Sequence, residues 1–98
     1  MATFADLIQS ETPTLVDFYA DWCAPCRMMS PILEQMSEDF ADKVKIIKIN
    51  TDKNEQVSMH FGIRSIPTMI LFQKGEIIWR HSGTMSAQDL SQVLKMYA

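Results

Sequence analysis

Cys23 and Cys26 are the two cysteines of this 98-residue chain, and they stand with two residues between them in the stretch DWCAPCR (21–27). A thiol pair at that separation can close a disulfide, hold part of a metal site or run a reaction. A helix that starts at the motif puts Cys23 in its first turn. There, unpaired backbone N–H groups and the positive end of the helix dipole favour thiolate over thiol. That placement makes Cys23 the nucleophile. Cys26, three residues on, lies one turn deeper on the same side, within disulfide reach and less exposed. Pro25 falls in the first turn, where a missing N–H costs little, and its ring stiffens the loop. A C-x-x-C pair at a strand-to-helix junction inside a βαβ pattern is a specific dithiol signal.

Other uses of the pair fit less well. A disulfide between them closes a very small loop and removes little entropy from the unfolded chain, so a purely structural clip is weakly motivated. A zinc or iron–sulfur site needs about four ligands. The chain adds His60 and His81, distant in sequence and without ligand-like spacing. No metal is therefore expected, and a site shared between two chains is the one metal arrangement left open. A cysteine hydrolase needs a base beside its thiol, and that use leaves the second cysteine unexplained. The Trp-Cys-Ala-Pro-Cys context argues against a chance pair of core cysteines.

The elements that must position the pair belong to one small domain, residues 1–98. Hydrophobic residues make up 47% of the chain and charged residues 21%, the balance of a soluble globular domain. The net charge is −3 with scattered lysines and arginines, so neither nucleic acid nor an anionic membrane is an expected partner. The first basic residue is Arg27, and Asp6 and Glu11 interrupt the start, unlike a secretory signal. The run Met69–Phe72 is far too short to span a bilayer. A cytoplasmic location is the expectation, with a domain excised from a longer exported chain as the alternative.

Phe4, Leu7 and Ile8 predict a short amphipathic helix, broken by ETP. TLVDFYA (14–20) predicts a strand buried on both faces. A helix then runs from the cysteine motif to about Phe40, with Met29, Leu33, Met36 and Phe40 as its apolar stripe, joined by Met28 and Ile32. Pro31 inside it should kink the axis. VKIIKIN (44–50) is the next strand and completes a parallel βαβ unit. Asp52 and Glu55 read as a capping-box start to a short helix that Gly62 ends. TMILFQ (68–73) and EIIWRHS (76–82) form a hairpin about Lys74–Gly75. Ser86 and Asp89 cap a last helix carried by Leu90, Val93, Leu94 and Tyr97. The expected fold class is α/β, a mixed four-stranded sheet flanked by four helices. Met28, Met29, Met36 and Met69 read as core fillers, Trp79 as hairpin packing, and His60 and His81 as residues without a chemical role.

This arrangement resembles the thioredoxin family. Its Trp-Cys-Gly-Pro-Cys motif stands here as Trp22-Cys23-Ala24-Pro25-Cys26, after LVDFYAD and before SPILEQM, KINTD, GIRSIPT, KGE and SGT at family spacing. The likeness covers residues 14–98 and implies the thioredoxin fold and a protein-disulfide reductase. Cys23 would attack a client disulfide, and Cys26 would resolve the mixed disulfide. Asp17, a buried acid in an apolar strand, would accept the Cys26 proton at a desolvation-raised pKa, with Lys48 as its partner. Pro67 would be cis and turn Ile66 toward Cys23. Trp22, Ala24, Pro25, Ser65, Ile66, Pro67, Gly83 and Thr84 would line the substrate-binding surface. The resemblance implies no cofactor beyond the redox disulfide. NADPH and flavin would reside on a partner thioredoxin reductase, and proteins with disulfides would be the clients.

Three departures matter. Ala24 replaces the usual glycine, so the redox potential need not be typical. Tyr19 stands where tryptophan is common. The family's first strand is missing before the first helix, which leaves 44–50 as an uncovered edge guarded by Lys45. A monomer is expected, with that edge as a dimerisation liability. The rival reading is a thioredoxin-fold binding or assembly module whose thiols are dispensable.

Overall fold

Helix α1 (Phe4–Ile8) is followed by strand β1 (Thr14–Tyr19), helix α2 (Ala24–Asp39), strand β2 (Lys45–Asn50) and helix α3 (Glu55–His60). Strands β3 (Thr68–Gln73) and β4 (Glu76–Ser82) and helix α4 (Ala87–Tyr97) complete the chain in the computed structural model, which describes residues 2–98. The sheet runs β2-β1-β3-β4. β1 pairs parallel with β2 and antiparallel with β3, and β3 pairs antiparallel with β4. The α/β class, the four strands and the four helices follow the sequence pattern.

Burial explains the order. β1 and β3 are β-branched, aliphatic and aromatic, and each buries five of its six residues. Such strands must lie inside the sheet with helices on both faces. β2 and β4 carry charges and sit at the two edges. Lys45 and Lys48 are exposed on β2, whose outer side has no strand partner among the described residues.

Alternation along β1 sends neighbouring side chains to opposite faces. Leu15 joins Met29, Leu33 and Met36 of α2 and Leu90 and Leu94 of α4 in one core. Val16 and Phe18 join Ile8, Ile70 and Phe72 in the other, packed against Phe4, Val57 and Phe61. Asp17 shares the face of Leu15 and therefore lies under α2. α2 continues through Pro31 to Asp39 as one element.

The β3–β4 turn needs positive φ at both central residues, as a two-residue type I′ hairpin does. Lys74 has φ 54° and Gly75 φ 84°. Both turn N–H groups donate to the end of α1 and the segment just after it, Gly75 to the Ile8 carbonyl at 2.9 Å and Lys74 to that of Ser10 at 3.0 Å. α1 itself is held by a reciprocal Thr3–Asp6 capping box.

Two expectations are corrected. Met28 is 68% exposed, not core, whereas Met29 is 0% exposed. Successive helical residues point about 100° apart, so only one of the pair can face the sheet. Asp52 and Glu55 form no capping box. Asn54 is the N-cap of α3 and makes no side-chain cap bond. The Asn50 side chain organises the turn instead, accepting from the N–H groups of Asp52 at 2.9 Å and Lys53 at 3.3 Å.

The methionine pair gives a direct check. Met29→Ala should cost about 2–5 kcal/mol through lost burial and a cavity beneath α2. Met28→Ala should stay within about 0.5 kcal/mol. Denaturant unfolding of both variants measures the contrast, and equal losses would contradict this orientation of α2.

Candidate functional site

β1 ends at Tyr19, and the chain turns through Ala20, Asp21 and Trp22 into α2. Cys23 is the N-cap, with extended backbone, and its Sγ accepts from the Cys26 N–H at 3.2 Å. The sulfur thus occupies the place that a serine or aspartate oxygen takes at other helix starts. Cys23 therefore stands one position before the first turn that the sequence suggested. Ala24 and Pro25 are the first two helical residues, and both are exposed. Cys23 and Cys26 form a disulfide with a Cα–Cα distance of 5.2 Å. The two residues are nearly equally covered, 4% and 3% exposed. Cys23 is covered because a loop distant in sequence lies against it.

That loop follows α3. The Ile66–Pro67 bond is cis. The Ile66 carbonyl oxygen lies 3.8 Å from Cys23 Sγ, and Ile66, like Tyr19, packs against the cluster of Ala20, Cys23 and Cys26. Hydrogen bonds to its carbonyls hold the loop from several sides. The Gly83 N–H donates to the Pro67 carbonyl at 2.8 Å, and the Thr68 hydroxyl donates to that of Ser65 at 2.7 Å. The Arg80 guanidinium donates to the carbonyls of Phe61 and Gly62 at the end of α3. Gly83 has φ 97°, a conformation that favours glycine.

Trp22 is 69% exposed. Its indole N–H donates to the Asp52 carboxylate at 2.9 Å, which is the use to which the structure puts Asp52. Trp22, Thr51, Ile63, Arg64, Ser65 and Ile66 line a shallow groove of about 180 Å³. The structure thus brings Trp22, Ser65 and Ile66 together. Gly83 and Thr84 do not line that groove. Thr51, Ile63 and Arg64 do; they fall within KINTD and GIRSIPT, but nothing local gives them a binding role, because only the fold carries them to Trp22.

Asp17 is completely buried, and neither carboxylate oxygen has a hydrogen-bond partner. Burial pushes its carboxyl from 3.8 up to about 6, and the positive charge of Lys48 opposes the rise. Lys48 is its register partner on β2. The ammonium donates to Ser30 Oγ at 3.1 Å and lies 4.9 Å from the centre of the Tyr19 ring. A pocket of about 320 Å³ reaches Cys26 between Tyr19, Ala20, Asp21, Arg27, Ser30 and Lys48. The sequence did not mark Ser30, since a helical serine carries no signal of its own. Among the described residues no group of three His, Cys, Asp or Glu side chains converges as a metal site does. His60 stands edge-on to Phe61, and His81 stacks on Trp79.

The raised carboxyl has a consequence for stability. Between pH 3.8 and about 6 the native state binds more protons at Asp17 than the unfolded state, so stability falls as pH rises through that window. The loss is about 3 kcal/mol for a shift of this size. Asp17→Asn should flatten that slope and exceed the parent in stability at pH 8 by about 2–3 kcal/mol. Urea unfolding of the oxidised proteins from pH 4 to 8 tests it, and a parent that stays level across the range would contradict the burial argument.

Comparison with known proteins adds to this geometry. The family model named Thioredoxin matches residues 1–96. A thioredoxin of Alicyclobacillus acidocaldarius is 46% identical over 93 residues, covering 95% of this chain and 89% of that protein. One of Rickettsia bellii is 51% identical over 71 residues, covering 72% and 68%. The crystal structure of a Malassezia sympodialis thioredoxin superposes with a TM-score of 0.88 at 29% identity, covering 96% of this chain and 82% of that one. With a Cys-x-x-Cys disulfide at the start of α2 and a family match over nearly the whole chain, this protein belongs to the thioredoxin family and is a thiol–disulfide oxidoreductase.

Proposed function

We propose that this chain works as one domain, residues 1–98, a monomer that carries electrons from a flavin-containing, NADPH-dependent thioredoxin reductase to client protein disulfides in the cytoplasm. The observation that carries this reading is the placement of Cys23: at the N-terminus of α2, disulfide-bonded to Cys26, with the Ile66 carbonyl 3.8 Å from its sulfur.

In the reduced protein the helix start favours the Cys23 thiolate. That thiolate attacks one sulfur of a client disulfide. A Cys23–client disulfide forms, and the other client sulfur leaves as thiolate and takes up a proton. Cys26 then loses its proton and attacks Cys23 Sγ. The mixed bond breaks, the second client thiol is released, and Cys23–Cys26 is left oxidised. Two electrons have moved from the dithiol to the client, and the reductase restores them.

Asp17 suits the proton step. A carboxyl raised to about 6 is largely ionised at neutral pH, yet takes a proton more readily than an ordinary aspartate. Lys48, its register partner, moderates the rise. The backbone of Ile66, which lies against Cys23, would pair with an extended client segment beside Pro67 as a local β-augmentation. Trp22, Ser65, Gly83 and Thr84 would surround that segment, and Ala24 and Pro25 would set the loop between the sulfurs. The domain uses no metal or organic cofactor of its own.

The test is NADPH consumption with a thioredoxin reductase and insulin. The wild type should turn over many times. Cys23→Ser should lose all detectable turnover, and Cys26→Ser should accumulate a mixed disulfide with insulin visible on a non-reducing gel. A Cys23→Ser, Cys26→Ser protein that keeps the cellular function would favour the binding-module reading instead.

A further inference from the structure

Lys48 stands opposite Asp17 in the parallel register of β1 and β2. Unlike charges on neighbouring strands ordinarily stabilise one another by pairing. Here the carboxylate oxygens have no hydrogen-bond partner, and the ammonium is committed elsewhere. Its nitrogen donates to Ser30 Oγ at 3.1 Å and lies over the Tyr19 ring, 4.9 Å from the centre. Both holding groups are neutral. One lies on α2, four residues and about one turn beyond Cys26. The other ends β1. They line the pocket that reaches Cys26.

We propose that Ser30 is a positioning residue: its hydroxyl, together with the Tyr19 ring, anchors the Lys48 ammonium at the pocket beside Cys26, within electrostatic reach of Asp17 and short of an ion pair. The role rests on Asp17 as the proton acceptor for Cys26.

The physical reason is a balance. Lys48 is exposed, on a flexible stem. Without an anchor, hydration and rotamer entropy draw its ammonium outward into water. Its pull on the Asp17 carboxylate then weakens, and burial is left less opposed. A direct ion pair would have the reverse effect, holding the carboxylate so strongly that it would no longer accept a proton near neutral pH. The serine hydroxyl and aromatic face keep the charge between these extremes, by a hydrogen bond and a cation–π contact.

The other charged or titratable groups about the pocket are Cys26 and Arg27 from α2 and Tyr19 and Asp21 from the end of β1 and its turn. The Arg27 guanidinium is turned to the Asp21 carbonyl at 3.0 Å. β3 contributes no charge from Thr68 to Gln73, and Met69 is the residue opposite Asp17.

The experiment is a carbon-detected NMR titration of the Asp17 carboxyl in the oxidised protein, where neither cysteine titrates. The wild type should titrate near 6. Ser30→Ala should raise the midpoint by about half a unit, in the same direction as Lys48→Met and less far. Ser30→Thr keeps a hydroxyl and should restore the wild-type midpoint. An unmoved or lowered midpoint in Ser30→Ala, including one accompanied only by a change in unfolding, overturns the positioning role alone. A wild-type carboxyl in the ordinary aspartate range overturns the acceptor reading, and the positioning role with it.

Discussion

β1 is hydrogen-bonded on both sides, to β2 and β3, and buried on both faces from Thr14 to Phe18. That double burial governs the rest. It provides the apolar floor onto which α2 and α4 pack on one side and α1 and α3 on the other. It also places one carboxyl where water cannot solvate it. Leu15, Val16 and Phe18 gain from burial, while Asp17 loses its hydration and shifts its proton affinity. The cost to stability and the chemical use of Asp17 have the same origin.

The reactive end of the molecule is the point where this strand runs out. The turn after Tyr19 delivers Cys23 to the helix start, and the helix itself supplies the N–H that its sulfur accepts. Opposite it stands a loop fastened by Gly83, Thr68 and Arg80. A rigid sheet and a tied loop thus hold two groups, a sulfur and the Ile66 carbonyl, from parts of the chain that are 43 residues apart. Rigid support of this kind is what a two-step exchange needs, because attack on a disulfide depends on the approach of the sulfur as well as on its charge.

Much of this is legible in the amino-acid sequence. Alternation and periodicity located the eight elements, since β1 and β3 are apolar runs of strand length and α2 and α4 carry helical stripes. The hairpin turn was legible because Lys74–Gly75 has the glycine that a positive φ favours. The misreadings have a common cause. Met28 and Met29 are the same residue type, and only the rotation of α2 on the sheet decides which is buried. Asp52 has the spacing of a capping residue, but the Trp22 indole, thirty residues away, takes its carboxylate.

The sequence by itself determined the chemistry: two thiols at helix-turn spacing, a proline between them, an acid within an apolar strand, and a pattern shared with thioredoxins along most of the chain. These are local properties, carried by residue type and short-range spacing. The tertiary structure alone decided where the charges and walls lie. It covered Cys23 with Ile66, left Asp17 without a hydrogen-bond partner, and turned Lys48 to Ser30 and Tyr19. Each of these is a contact between distant segments, set by strand register and by the seating of α2. Coulomb energy and desolvation depend on those distances and on burial, not on the order of residues along the chain.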